Sequence, residues 1–148
     1  MRRLCVVSIL VLIALKASLA DRATADALQN DFTRMQGPWT LYYMEQDGSS
    51  YLPGGSVQMI VQGNQFVVAP GTPGATLGQF AQQELFWPRQ IDYMPLTGSN
   101  AGQVYLGIYD VIGSVQRVCF AQPGQPRPTD FNTFPGSGRV LNVWLKLQ

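Results

Sequence analysis

Histidine is absent from the 148 residues, and charge is scarce: ten Lys and Arg, nine Asp and Glu, 13% of the chain. Without imidazole there is no Ser-His-Asp triad, no Cys-His dyad and no histidine-held metal. Two cysteines make no metal cluster, and neither a Gly-rich phosphate loop nor a calcium-loop spacing occurs. No cofactor or metal is expected from these residues. Long apolar runs are missing too, with a single exception at the N-terminus.

That exception reads as an export leader. Met1-Arg2-Arg3 is basic, residues 4–15 are an apolar run with Ser8 its only polar residue, and Ala17-Ser18-Leu19-Ala20 is small. The layout is that of a secretory signal peptide cut before Asp21, with Ser18 at −3 and Ala20 at −1. A run of twelve residues rises about 18 Å as a helix, short of the roughly 30 Å hydrocarbon core, so stable membrane insertion is not expected. No Cys follows the small stretch, which argues against a lipoprotein. The expected location is periplasmic or extracellular.

Removing residues 1–20 leaves seven basic against nine acidic residues, a net charge of −2. That argues against nucleic acid as a partner. Cys5 leaves with the leader, so Cys119 is the one remaining thiol and no internal disulfide can form. Cys119 lies mid-strand between Val118 and Phe120, where a buried inert thiol is the ordinary outcome.

Fifteen Gly and ten Pro set the rhythm of the rest. The spacing of Leu28, Phe32 and Met35 predicts a helix over about 24–36. Thr24 serves as its N-cap, Asp26 lies in the first turn, and Gly37-Pro38 stops it. From Trp39 onward, alternation predicts strands at 39–46, 57–62, 65–69, 79–86, 89–94, 104–111, 115–120 and 139–147. Pro70–Gly78 reads as loop, and Ala121–Gly138 as a long loop with four prolines. About eight short strands with short connections suit an up-and-down barrel or a two-sheet sandwich, and barrel closure removes exposed edges.

Three segments resemble a known family. They are Met35-Gln36-Gly37-Pro38-Trp39 with Asp47-Gly48, the pair 106–110 and 117–121, and 123–131 with 136–141. Together they are similar to the lipocalin-like (calycin-type) domain of unknown function found chiefly in exported planctomycete proteins. The similarity spans about residues 28–147, and the last forty residues are its most specific part. It implies an all-β, antiparallel up-and-down barrel of about eight strands with a short N-terminal capping helix, and it implies no activity. Lys146 is the only lysine after the leader, which argues against a function built on a basic surface.

Candidate site residues follow. Trp39 matches the barrel-opening Gly-x-Trp of lipocalins and is expected to plug the closed end. The last strand runs back beside the first, bringing Lys146 to the indole for a cation–π contact of about 0.5–2 kcal/mol. In the long loop, Arg127 and Asp130 are spaced for a local ion pair, with Phe131 beside them. The loop is either a structural Ω-loop pinned by Arg127 or a site where Arg127 recognises an anionic group, with Asp130 and Phe131 completing it. Glu84 and Asp92, on adjacent strands, are the only carboxylate pair suggesting a hydrolase, and their spacing is not diagnostic. Tyr42, Tyr43, Tyr105, Tyr109 and Trp144 are expected on strands, as core or as ligand wall. The leading expectation is non-catalytic binding of a small apolar or amphipathic ligand in the barrel mouth. The alternative is a structural or protein-interaction module with a filled barrel.

Overall fold

A computed structural model of the chain describes residues 31–83 and 86–148. The expected export leader and its expected cut, Cys5, Thr24, Asp26, Leu28 and Glu84 all lie outside the described residues. The chain divides into two compact units, Met1–Thr33 and Arg34–Gln148. Of the first, only residues 31–33 are described, and they are helical. The helix ends at Met35, which belongs to the second unit.

The second unit is almost entirely strand. Its elements are β1 (Gly37–Gln46), β2 (Ser49–Tyr51), β3 (Gln58–Gln62), β4 (Gln65–Val68), β5 (Thr76–Gln83), β6 (Arg89–Pro95), β7 (Tyr105–Ile112), β8 (Val115–Phe120) and β9 (Val140–Lys146). Every neighbouring pair is antiparallel, and β1 meets β9 from Trp39↔Lys146 to Gln46↔Val140. On its other edge β1 holds β3 at its start and β2 at its end. Strands β1 and β3–β9 therefore close an eight-stranded barrel in chain order, and β2 is a short flap on its rim. This is the lipocalin-like barrel architecture expected from the sequence.

Two differences from the predicted elements have physical causes. The strand expected over 79–86 begins at Thr76, because Gly78 is a strand residue rather than a turn. A Cβ at Gly78 would stand 2.1 Å from Phe66 Cζ, and one at Gly107 would stand 2.7 Å from the Phe120 ring. Both glycines let a ring lie over the backbone, the usual meaning of glycine inside a strand. The flap β2 went unpredicted because Ser49, Ser50 and Tyr51 are exposed on both faces and carry no alternation.

Parity divides the barrel wall. Met59, Val61, Phe66, Phe80, Ile91, Val118 and Trp144 point inward and are buried. A bulge at Tyr42 lets Leu41 and, past it, Met44 both sit opposite inward residues of β9, Trp144 and Asn142. Ile108 and Cys119 point outward and are nonetheless buried, as is Pro128 of the 121–139 loop. That loop straps the outside of the sheet and makes a second, smaller core there. Burying an isoleucine such as Ile108 is worth about 1.5–3 kcal/mol.

Candidate functional site

One end of the barrel is shut by one local bond and several distant ones. Trp39 is fully buried, and its Nε1 donates to Met35 O at 2.8 Å. Lys146 Nζ donates to Arg34 O at 2.7 Å and stands 5.2 Å from the centre of the Trp39 rings. The last helical carbonyls are thereby satisfied by an indole N–H and a cation, the partners a helix C-terminus favours. Gln36 completes the closure by bonding both Gly63 O (3.1 Å) and Gly63 N (2.7 Å) in the β3–β4 turn.

The strap carries two ion pairs, neither of them the one expected locally, and rests on a third. Arg127 donates to Asp92 at 2.6 Å and, through Nη1, to Gly107 O at 2.7 Å and Ile91 O at 3.1 Å. Asp130 instead binds Arg139 at 3.1 Å, so the Arg127–Asp130 pair is corrected: residues three apart in this loop point to different strands. Phe131 lies under the Arg117 guanidinium at 4.3 Å, while Arg117 is bonded through two nitrogens to Asp110. Arg127, Asp130 and Phe131 thus occupy three separate clusters, in the arrangement of a pinned structural loop. Asp92 is held by Arg127 and by the Gln83 amide, on the outside of the barrel.

Nearer β1, Thr133 Oγ1 donates to Glu45, and Tyr43 OH donates to Glu45 Oε2 at 2.5 Å. These bonds hold the Glu45 carboxyl below its ordinary range, Thr133 contributing most. Cys119 lies beneath the strap, and burial pushes its thiol up to about 11. Such a thiol is neutral and unreactive at physiological pH.

Inside the barrel the chemistry is different. Tyr93 is the centre of an aromatic cluster, with Phe66 at 5.2 Å, Tyr105 at 5.1 Å and Phe120 at 5.0 Å between ring centres. These are favourable tilted contacts, two of them made possible by Gly78 and Gly107 on the intervening strands. Phe120 carries the cluster onto the β8–β9 wall, where Gln116 stands opposite Trp144 and Val118 opposite Asn142. Cluster and wall both line a cavity of about 240 Å³. A wider vestibule of about 620 Å³ adjoins it, lined by Leu41, Met44, Leu52 and Val57 and sharing Val68, Tyr93, Asn142 and Trp144 with the inner chamber.

No Asp, Glu, Lys, Arg or Cys lines either space. Burial raises the Tyr93 phenol above its ordinary value, and Tyr105 adds to the rise. Tyr109, deep in the barrel, is raised by burial as well, and its hydroxyl accepts the Gln82 amide at 3.0 Å. Both phenols therefore stay neutral near pH 7. Against this apolar lining two groups stand out. Gln116, 2% exposed, and Asn142 each have a buried side-chain carbonyl oxygen with no hydrogen-bond partner. Leaving a buried acceptor unpaired costs about 1–3 kcal/mol. Sequence reasoning passed over both residues; their signal was an amide at inward parity in strands otherwise apolar on that face apart from Lys146 at the shut end.

No family model, curated protein or solved structure matches the chain. Among the described residues, no three His, Cys, Asp or Glu side chains could together hold a metal ion. No described helix is long and apolar enough to cross a membrane.

Proposed function

We propose that the barrel is a non-catalytic, exported binding module that takes one small uncharged molecule, apolar or amphipathic, into its interior. The carrying observation is the charge-free cavity, which shares Val68, Tyr93, Asn142 and Trp144 with the vestibule. An eight-stranded barrel is wide enough for one small ligand when its side chains do not fill it. The inner 240 Å³ alone is somewhat below the usual range of ligand sites, about 300–1,000 Å³, and the vestibule extends it into that range. Titration with N-phenyl-1-naphthylamine tests the reading. Saturable binding of one probe per chain with blue-shifted emission is expected, abolished in Val140→Trp. A folded protein that binds no probe, or whose Val140→Trp variant binds unchanged, rejects it.

Export is tested by N-terminal sequencing of the protein secreted by its host, with Asp21 as the expected first residue. One observation favours an interaction module as a second reading: Trp87 is 89% exposed, with Phe86 exposed beside it. Loss of self-association or partner capture in Trp87→Ser, with probe binding unchanged, would separate the two readings.

A further inference from the structure

We propose that the interior site selects a neutral ring compound bearing a hydrogen-bond donor, such as a phenolic or alcoholic hydroxyl or a ring N–H, and discriminates against ions and acceptor-only analogues. This inference rests on the binding reading above and adds to it the class of ligand. Its basis is the pair of orphan carbonyls, Gln116 Oε1 and Asn142 Oδ1. In the β8–β9 register Gln116 pairs with Trp144 and Val118 with Asn142, so the two amides are diagonal neighbours on the inner face. Diagonal positions in a sheet are about 7–8 Å apart, within reach of two flexible amide side chains converging on one group. Both residues line the same cavity.

Three features of the surroundings narrow the ligand. The lining carries no charged side chain, so an ammonium or carboxylate would be desolvated there without a counterion. Gln116 is almost fully buried, so its carbonyl cannot turn to bulk solvent for a donor. Tyr93 of β6, Phe66 of β4 and Phe120, farther along β8 itself, offer ring faces and edges to the same cavity, a surface suited to a flat ring. A site with buried acceptors rejects the analogue lacking a donor because its acceptors are then left unpaired.

The experiment compares 2-naphthol with its near-isostere 2-methylnaphthalene, with acceptor-only 2-methoxynaphthalene and with anionic 2-naphthoate, by direct titration. Wild-type protein is expected to bind 2-naphthol at least tenfold more tightly than 2-methylnaphthalene, a difference of about 1.4 kcal/mol. It is expected to bind 2-naphthoate more weakly than either. In the Gln116→Met, Asn142→Leu double variant the preference should fall below threefold while 2-methylnaphthalene binding persists. Gln116→Met alone keeps side-chain length and shape, so it reports on the site if the double variant does not fold. Its ligand-free melting temperature should be at or above that of the wild type, as expected when an orphan acceptor is replaced by an apolar group. Equal binding of 2-naphthol and 2-methylnaphthalene, or of 2-naphthol and 2-methoxynaphthalene, overturns the donor assignment and leaves the cavity reading standing. Failure of every neutral probe, N-phenyl-1-naphthylamine included, overturns both.

Discussion

Strands β8 and β9 have two faces, and the contrast between them is the most informative feature of the molecule. On the outside, beneath the strap, every cation is matched. Arg117 meets Asp110, Arg127 meets Asp92 and Arg139 meets Asp130. On the inside the only charge on these strands is Lys146 at the shut end, and none lines the cavity, yet Gln116 and Asn142 hold acceptors that nothing among the described residues satisfies. Charge on this chain therefore builds structure, and unmatched polarity marks the place where a ligand is expected. Looking for function among the few charged residues leads to the wrong face.

The largest expected effect comes from crowding the inner face. A Cβ on Gly107 would stand 2.9 Å from Cys119 O, a backbone atom that cannot step aside, as well as against Phe120. Gly107→Ala should cost about 3 kcal/mol in urea unfolding, at the upper end for overpacking. A loss below about 1 kcal/mol would mean that the aromatic cluster tolerates repacking, and the inner wall would be softer than described.

Next comes the strap. Arg127→Ala removes three hydrogen bonds and leaves Asp92 with the Gln83 amide alone. Discounted for partial exposure, the loss should be about 2 kcal/mol. Probe binding inside should change less than threefold. Cys119 reports the same event chemically: it should resist thiol labelling at pH 8 in the native wild type and label faster in Arg127→Ala. A tenfold loss of probe affinity on this substitution would couple the two faces and break the comparison.

A smaller effect of opposite sign is expected from Gln116→Met, a gain of about 1 kcal/mol without ligand, since an unpaired acceptor is replaced by an apolar chain. The smallest concerns acid. The Glu45 carboxyl titrates below its ordinary 4.5 in the folded state, chiefly through Thr133. The stability it contributes is complete above pH 4.5 and is lost as pH falls through the lowered folded value. Melting temperatures from pH 7 to 3 should therefore decline below about pH 4.5, less steeply in Glu45→Gln. For Cys119 the sign reverses. Its thiol is raised from 9.0 to about 11, so its contribution holds below pH 9 and fades as pH rises through 11.

Much of this architecture was readable in the sequence, because alternation is a local property. Val115–Phe120 emerges with the bounds predicted for it, and the closing strand differs by one residue at each end. Gly78 misled because glycine signals a turn locally, while its actual cause, the Phe66 ring, is twelve residues away. Arg127 is paired differently from the local expectation, since its partner Asp92 lies 35 residues back, on a strand the loop reaches by lying over the sheet. Leu141, Val143 and Leu145 form a visible stripe, but which side of the sheet it faces depends on the strap. Once that stripe is placed outside, Asn142 and Trp144 must point in. The amide pair is legible only after that step.

The shut end also fixes an order of events. Lys146 reaches back over 112 residues to the Arg34 carbonyl, and β9 supplies the whole second edge of β1. The first strand thus has no neighbour on that side until the last strand exists. A chain emerging from its N-terminus must carry β1 with that edge unpaired through synthesis of everything between. Such high sequence separation makes ring closure a late and comparatively slow step. If residues 1–20 act as the proposed export leader and the chain passes through a narrow translocation channel, this delay is an asset. A polypeptide that cannot complete its barrel until its final strand is made remains threadable for as long as it is being passed across.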